Sequence, residues 1–412
     1  MRMVIAVMTA QVCFGALAAV DLMERDFTPE SSTVWHLWEG PQPDPTWTVT
    51  NQFSELPGTV HAQIFYATEA TGAYNHHANL AWWGGRFHAA WSNQRHSEDA
   101  PGQRALYASS VDGLHWSDPK ELIPSIVPET SWENSYCAYV GANEFVEWDG
   151  RLFGSAVVFE VVEWHDAPRK KVTQTRTRES CIPEIRGRGR IYREIGAEGP
   201  INCPFVWKRR NFLPNLTLTT PVRDMKEMAK GFQAPKRDYN LNDAVRQNPH
   251  GRIFSEPTVW RLPDGQYAVM FRDDKRSFRK WVSLSKDGQK WSEPRPTDIP
   301  DAPSLSRVIR LSNGLYVLAG NHRPGLSVGP DWRQTRQREP LMISTSRDGL
   351  HFGNTHAVRI GFQQVKVPWV RGGHDGGGQY PYVLEHDGFV YVMYSMGKED
   401  IWVTRIPIRE IK

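Results

Sequence analysis

Short apolar runs alternate with polar residues along the chain, and five times two such runs flank a tight-turn pair. The turn pairs are Gly84-Gly85, Asp149-Gly150, Asp264-Gly265, Asn313-Gly314 and Asp387-Gly388. A two-residue turn of this composition is a strong hairpin signal, because glycine and asparagine tolerate positive φ. The pattern predicts hairpins at 80–91, 145–159, 259–272, 308–321 and 382–396. No long stretch has helical periodicity, so we expect an all-β protein.

A seven-residue pattern, S-x-D-G-x-x-aromatic, occurs three times, at 110–116, 285–291 and 346–352. In each copy Asp-Gly supplies a tight turn, and the aspartate can accept hydrogen bonds from nearby backbone amides. The pattern resembles the Asp-box of sialidase-like β-propellers. That resemblance implies a propeller fold with these boxes on its outer rim. It says little about chemistry.

Each hairpin is predicted to be the inner pair of strands of one blade. The interval between Gly150 and Gly265 leaves room for a further blade plus an insertion, and residues 47–66 can supply another. We therefore expect a seven-bladed β-propeller, with six blades the alternative. One blade should be closed by strands from both chain ends. The basic stretch 164–190 is either a solvated loop or a cationic rim that attracts an acidic polysaccharide.

The N-terminus has the form of a secretory signal peptide. Arg2 precedes an apolar run that ends in small residues at 15–18, so cleavage is expected after residue 18 or 19. The rest, 19–412, should be a single catalytic propeller domain, secreted or periplasmic and monomeric. No later apolar run is long enough for a membrane span. A net charge of +3 implies no general attraction to nucleic acid.

Three cysteines remain after the predicted leader: Cys137, Cys181 and Cys203. An odd number in an exported protein indicates a disulfide plus a free thiol, or a metal site. Thiolates with a histidine suit a structural zinc ion, and a structural calcium ion elsewhere is a further possibility. The spacing follows no known zinc motif, so the disulfide and the metal site both stay open.

Histidines gather at the two flanks of the first predicted hairpin. His76 and His77 enter it, and His96 leaves it, followed by Gln103 and Arg104. A hairpin brings its flanks together, so these side chains can share one loop end of the propeller. Propellers place ligands at such ends, close to the axis. We expect a polar site here, although each histidine alone is more often structural.

Several segments resemble propeller lyases and rhamnosidases that act on rhamnose–glucuronate linkages, including ulvan lyases. They are Asn75-His76-His77, and the stretches 96–103, 191–195 and 372–382. The resemblance implies that His76, His96 and Arg193 are catalytic and that no cofactor is required. The family's tyrosine has no direct counterpart. Tyr139 is the candidate by proximity, and Tyr136 and Tyr192 are the alternatives.

Polar residues at the ends of other predicted strands could line the same axial pocket. Arg272, Asn321, His322 and His374 are candidate substrate-binding residues, or members of structural ion pairs. The glycines around His374 indicate a close approach of the backbone to ligand or to other chain segments.

The leading hypothesis is a lyase that breaks the linkage by β-elimination and leaves an unsaturated uronate. An arginine would pair with the glucuronate carboxylate, and histidine would transfer protons. A glycoside hydrolase, an α-L-rhamnosidase or a sialidase, is the alternative. Its carboxylates could come from Glu98, Asp99, Asp273 and Asp375. A sialidase should carry Arg-Ile-Pro near its start, whereas the one copy here is 405–407. A non-catalytic glycan-binding propeller is the third hypothesis.

Overall fold

A computed structural model gives the fold. It describes residues 34–41, 53–96, 98, 102–125, 137–165, 182–201, 205–207, 223–224, 237–247, 251–322, 338–364, 366 and 376–412. More than half of these residues lie in β-strands, and most of the others form turns and connecting segments. Helical structure within them comprises α1, Asn242–Arg246, and a 3₁₀ turn, Ile408–Glu410. The prediction of an all-β protein is confirmed.

The strands form five sheets, numbered here in chain order of their inner strands. The first contains β2 (Tyr74–Trp83), β3 (Arg86–Gln94), β4 (Arg104–Ser110) and β5 (Lys120–Ile123). The second contains β6 (Cys137–Trp148), β7 (Arg151–His165), β8 (Ile182–Gly196), β9 (Gly199–Pro200), β10 (Phe205–Trp207) and β11 (Arg223–Asp224).

The other three sheets each have four strands. The third contains β12 (Phe254–Arg261), β13 (Tyr267–Asp273), β14 (Arg279–Ser285) and β15 (Arg295–Pro300). The fourth contains β16 (Arg307–Arg310), β17 (Tyr316–Gly320), β18 (Leu341–Ser346) and β19 (Gly353–Arg359). The fifth contains β20 (Gly378–His386), β21 (Phe389–Met396), β22 (Asp400–Pro407) and β1 (Val60–Phe65).

All five predicted hairpins are present as the first two strands of a sheet, joined at the predicted turns. Closure by both chain ends is confirmed as well. β1, from the N-terminal part of the chain, pairs antiparallel with β22, with Val60 opposite Arg405. The region expected to supply a blade of its own thus supplies the outer strand of the fifth sheet.

Neighbouring sheets pack face to face through shared apolar clusters, as the blades of a propeller do. Four clusters connect successive sheets. One joins the first sheet to the second and includes Tyr107 and Leu152, and another joins the fifth to the first and includes Leu80 and Val403. The other two join the third sheet to the fourth, with Trp260 and Tyr316, and the fourth to the fifth, with Val317 and Val392. The fold is a β-propeller.

The predicted blade count is not confirmed. The described residues form five sheets, and neither seven blades nor six can be counted from them. Much of the chain between the second and third sheets lies outside the described residues, as do the signal-peptide region 1–18 and most of the basic stretch 164–190. Within the described part of the chain, no helix is both long and apolar enough to cross a membrane.

The three Asp-boxes connect the third and fourth strands of their sheets, away from the innermost strands. In the box at Ser346, Asp348 Oδ1 accepts hydrogen bonds from the backbone amides of Leu350 (2.8 Å) and His351 (2.9 Å). Ser346 Oγ accepts one from Gly349 N at 2.8 Å, and Gly349 has φ +79°. The same contacts recur in the boxes at Ser110 and Ser285.

Asp348→Ala should lower the free energy of unfolding by about 1–2 kcal/mol, because two backbone donors lose their acceptor. Thermal and denaturant unfolding would measure the change. Arg347→Ala, at an exposed position of the same turn, is the control and should change stability little. Equal stability of the two variants would contradict a structural role for the box.

Candidate active site

In the first, third and fifth sheets, a β-bulge interrupts the first strand near one end. The register shifts fall between His76 and Asn79 in β2, Ser255 and Thr258 in β12, and Gln379 and Tyr382 in β20. Each bulge holds one non-glycine residue at positive φ. These residues are His77 (+56°), Glu256 (+49°) and Tyr380 (+56°). Such backbone conformations are strained for L-residues and concentrate at functional sites.

Two of the bulges have an evident local cause. Pro257 follows Glu256, and Pro381 follows Tyr380. Proline has no amide hydrogen to donate to the sheet, so within strands it occurs at edges and bulges. The ladder therefore breaks at these positions, and the residue before each proline is turned out of the regular alternation.

The side chains of two bulge residues, Glu256 and Tyr380, meet although they lie far apart in the sequence. The Tyr380 hydroxyl donates a hydrogen bond to Glu256 Oε1. Arg272 Nη1 donates to the Tyr380 oxygen at 2.7 Å and to Glu256 Oε1 at 2.8 Å. Arg272 Nε also forms an ion pair with Asp274 at 2.9 Å. A tyrosine, a carboxylate and a guanidinium thus form one contiguous cluster between the third and fifth sheets.

The electrostatics assign distinct protonation states to this cluster. Burial, reinforced by the charge of Glu256, raises the pKa of Tyr380 well above its usual value. Burial alone would raise the pKa of Glu256, but the charge of Arg272 and the hydrogen bond from Tyr380 outweigh it and lower that pKa. Near neutral pH the phenol is therefore protonated and the carboxylate is ionised. Glu256 can accept the Tyr380 proton.

A second arginine, Arg338, lies beside Tyr380. Its guanidinium carbon is 5.3 Å from the centroid of the tyrosine ring, and the residue is only 4% exposed. Arg338 donates to Gln379 Oε1 and to the carbonyl of Pro303, the latter at 2.8 Å. Two guanidinium groups therefore lie against the same tyrosine, Arg272 from β13 and Arg338 from the segment that precedes β18.

Two of the predicted histidines, His76 and His77, also lie close to Tyr380. The ring centroids of His76 and His77 are 4.8 Å apart, and those of His76 and Tyr380 are 4.0 Å apart. His76 Nδ1 is 2.6 Å from Ser395 Oγ, and His77 Nδ1 is 3.2 Å from Ser92 Oγ. Burial, followed by the charge of Lys398, lowers the pKa of His76 well below its usual value. His76 is therefore neutral at physiological pH.

Glu98 joins this group from the loop after the first hairpin. One ligand atom each of His76, His77 and Glu98 lie within 4.8 Å of one another. Lys398 Nζ donates to Glu98 Oε2 at 2.8 Å. Glu98, one of the carboxylates that the sequence suggested for a hydrolase, thus lies beside His76 and His77.

Among the other predicted site residues, Arg272 contacts the Tyr380 cluster, whereas Arg193 and His96 are described by contacts elsewhere. Arg272 was predicted to bind substrate and contacts Tyr380 directly. Arg193 lies on β8, the third strand of its sheet, where Nη1 donates to the carbonyls of Glu121 (2.9 Å) and Leu122 (3.2 Å). The predicted pocket shared by Arg193, His76 and His96 stays a prediction. His96 is partly buried and its backbone amide donates to Gln94 Oε1 at 2.5 Å.

Several predicted substrate-binding residues form hydrogen bonds to other residues of the protein. Asn321 and His322 are both fully buried. Asn321 Nδ2 donates to the carbonyl of Gly378 at 2.9 Å, and His322 Nε2 is 2.8 Å from Ser344 Oγ. Burial lowers the pKa of His322 to about 3. Gln103 is also fully buried, and Arg104 Nε donates to Asn93 Oδ1 at 2.9 Å. We interpret Asn321 and His322 as residues that join neighbouring strands.

The remaining predictions fall outside the described residues or on strands whose backbone alone is described. His374, Cys181 and Cys203 belong to the first group, and Cys137 and Tyr139, on β6, to the second. The choice between a disulfide and a metal site at the cysteines therefore stays open. Glu256, Arg338 and Tyr380 were not predicted as site residues.

Two family models match the sequence. One, described as a BNR repeat-like domain, matches residues 194–392. The other, described as a BT_1020-like, N-terminal beta propeller, matches residues 52–148. The sequence matches none of the curated proteins.

Among solved structures, a sialidase superimposes with a TM-score of 0.63 at 22% identity, over 91% of this chain and 35% of that one. This chain therefore spans well under half the length of that sialidase. A Trypanosoma rangeli sialidase in complex with the inhibitor DANA gives a TM-score of 0.47 at 13% identity, over 85% and 60% of the two chains. The NanB sialidase from Streptococcus pneumoniae gives 0.45 at 10% identity, over 89% and 72%.

The two family models and the sialidase with the TM-score of 0.63 agree with the fold that the described residues build. The chain is a β-propeller similar to BNR-repeat, sialidase-like propellers. The predicted resemblance to sialidase-like propellers is confirmed, whereas the more specific resemblance to ulvan lyases is not shown by the comparisons.

Proposed function

We propose that this protein is a glycoside hydrolase in which Tyr380 is the nucleophile and Glu256 its general base. The observation that carries the proposal is the hydrogen bond from the Tyr380 hydroxyl to an ionised, buried carboxylate, with Arg272 bonded to both. Tyrosine nucleophiles occur among glycosidases, in the sialidases. A nucleophile held by an adjacent base that a third group orients is a general catalytic arrangement.

The chemistry follows from the protonation states. Glu256 accepts the phenolic proton while the tyrosine oxygen bonds to the anomeric carbon. The bond to the leaving oxygen breaks in the same step, and that oxygen departs with the bonding electrons and takes up a proton from solvent water. Arg272, which donates to the same phenolic oxygen, stabilises negative charge as it develops there. Water then displaces the tyrosine from the sugar in a second step. Two displacements at one carbon retain the anomeric configuration.

An acidic sugar is the substrate class that best fits this site. A protonated phenol carries no charge, so it can approach an anomeric carbon whose sugar bears a carboxylate without the repulsion a carboxylate nucleophile would meet. Arg272 and Arg338 both lie against Tyr380 and add positive charge to the site. The similar fold of a sialidase and the acidic glycan expected from the sequence fit the same class.

The lyase hypothesis rested on His76, His96 and Arg193 acting together. His76 is fully buried and its Nδ1 lies against Ser395, while Arg193 is held by carbonyls of β5. The Tyr380–Glu256–Arg272 cluster has the base, nucleophile and cation that hydrolysis needs, and it favours the hydrolase. The signal peptide, the export of the chain and the extent 19–412 of the catalytic domain remain part of the proposal.

Hydrolysis of 4-methylumbelliferyl glycosides tests the proposal. The panel contains an α-sialoside, a β-glucuronide and an α-L-rhamnoside, and it is assayed beside ulvan and gum arabic followed by ultraviolet absorbance. We expect fluorophore release from an acidic glycoside, with the anomeric configuration retained by NMR. An absorbance rise from an unsaturated uronate would instead support the lyase. Glycan binding without turnover on any substrate would support the non-catalytic propeller.

A further inference from the structure

Beside the proposed catalytic cluster, two imidazoles and a carboxylate converge closely enough to hold a metal ion. We propose that His76, His77 and Glu98 bind a zinc-type divalent cation. One ligand atom from each lies within 4.8 Å of the other two. Atoms about 2.0–2.2 Å from a shared zinc ion stand closer together than this, so a small inward shift of the side chains completes the site.

The β-bulge in β2 is what allows two consecutive residues to serve one site. In a regular strand successive side chains point to opposite faces of the sheet. Here the register shift between His76 and Asn79 and the positive φ of His77 break that alternation. The two rings consequently lie 4.8 Å apart.

His76 supplies the strongest evidence for a ligand. Its side chain is fully buried, and its Nδ1 is paired with Ser395 Oγ at 2.6 Å. Its Nε2 has no hydrogen-bond partner among the described residues. A buried imidazole nitrogen without a partner costs free energy, and buried polar groups of this kind call for an explanation. A metal ion on Nε2 would provide one.

In known metal sites, the ring nitrogen of a histidine that does not bind the metal is hydrogen-bonded to a neighbouring group, which fixes the orientation of the ring. His76 and His77 each have such a neighbour at Nδ1. For His76 this group is Ser395. For His77, Nδ1 lies 3.2 Å from Ser92 Oγ and 3.4 Å from the Tyr74 hydroxyl. Both rings are therefore held by hydroxyl groups at Nδ1, which leaves Nε2 as the atom that can face a cation.

Glu98 is held in a comparable way. Lys398 Nζ donates to Glu98 Oε2 at 2.8 Å, and the Lys398 carbonyl accepts a hydrogen bond from Asn75 N at 2.7 Å. The loop of Glu98 is thereby connected to the strand that carries the histidines. Because the ammonium of Lys398 shares the carboxylate, we expect weaker binding than at a closed structural zinc site.

The ligand types decide the metal class. Two imidazole nitrogens and one carboxylate suit zinc, and three protein ligands leave a coordination position open for water or a substrate oxygen. Calcium prefers six to eight oxygen ligands and should not bind here. The open position would lie near Tyr380, whose ring centroid is 4.0 Å from that of His76. The proposal does not depend on the glycosidase assignment, since its test measures metal binding.

Metal binding would be measured on the full-length, untagged protein after treatment with a chelator. Thermal unfolding and calorimetry would be followed during titration with Zn²⁺, and the visible spectrum during titration with Co²⁺. The variants are His77→Asn, which suits a positive φ, and Glu98→Gln. The control is His61→Gln, because His61 Nε2 lies 2.9 Å from Glu55 in another histidine–glutamate pair.

We expect Zn²⁺ to raise the Tm of the wild type and of His61→Gln, and Ca²⁺ to leave it unchanged. Each test variant should lose at least about tenfold in Zn²⁺ affinity, the scale of losing a ligand or its supporting group. Glu98→Gln keeps the shape of the side chain, so it remains informative if His77→Asn does not fold. Undiminished Zn²⁺ binding by a folded variant, a cobalt spectrum with thiolate charge transfer, or no binding by the wild type would overturn the proposal.

Discussion

Tyr380→Phe is expected to reduce kcat for the acidic glycoside by roughly 10³-fold or more, because it removes the proposed nucleophilic oxygen. The ring and its packing against His76 and Arg338 remain, so the fold should be preserved. Steady-state kinetics with the best substrate of the panel would measure the loss, and Tm would confirm folding.

Tyr394→Phe is the matched control. Tyr394 is a buried tyrosine on the adjacent strand β21, and its hydroxyl is 3.0 Å from Thr404 Oγ1 instead of a carboxylate. It should retain nearly full activity. Glu256→Gln should lose roughly 10²–10⁴-fold in kcat, the scale of a general base. Full activity of Tyr380→Phe would contradict the nucleophile assignment even if the protein hydrolyses glycosides.

Turn chemistry made the architecture predictable from the sequence. Pairs such as Asp264-Gly265 place positive φ at the glycine, +87° here, and this local requirement is independent of the rest of the fold. The Asp-boxes were equally predictable, since Asp348 and Ser346 bond to amides within their own turn. Blade number depends on how sheets pack around the axis, and local pattern carries no such information.

The Tyr380–Glu256–Arg272 cluster could not be predicted because it depends on contacts between distant strands. Glu256 and Tyr380 are brought together only when the third and fifth sheets close around the axis. A usable signal was nevertheless present. Proline directly after Glu256 and Tyr380, at the start of runs that otherwise read as strands, marks a bulge. Bulges re-aim side chains near active sites.

The turn of the first hairpin explains the positions of the predicted histidines only in part, and the site that they were predicted to share stays a prediction. His76 and His77 lie near one end of the first hairpin, as its turn required. In the sheet, however, His76 is opposite Ser92 and Tyr74 is opposite Gln94, so His96 lies beyond the last pair of the ladder. Turn position gives the register, but it does not place a residue that follows the strand.

The second large effect concerns a buried ion pair close to the cluster. Lys280 Nζ lies 2.8 Å from Asp301 Oδ1, and each side chain is 1% exposed. Lys280 also donates to the carbonyl of Ser304 at 2.9 Å. Burial raises the pKa of Asp301 and lowers that of Lys280, in each case against the attraction of the partner. Desolvation therefore outweighs attraction, so the intact pair should contribute little net stability.

Breaking the pair should nevertheless be severe. Asp301→Leu leaves the Lys280 ammonium buried without its carboxylate, and we expect the free energy of unfolding to fall by about 3–5 kcal/mol. Lys280→Met should cost a similar amount, because Asp301 then loses its cation. The double variant Lys280→Met/Asp301→Leu removes both charges and should recover most of the loss. Denaturant unfolding of the wild type, the two single variants and the double variant gives the coupling free energy of this double-mutant cycle. Additive losses in the double variant would show that the two charges are not coupled and that each side chain is required for its own packing.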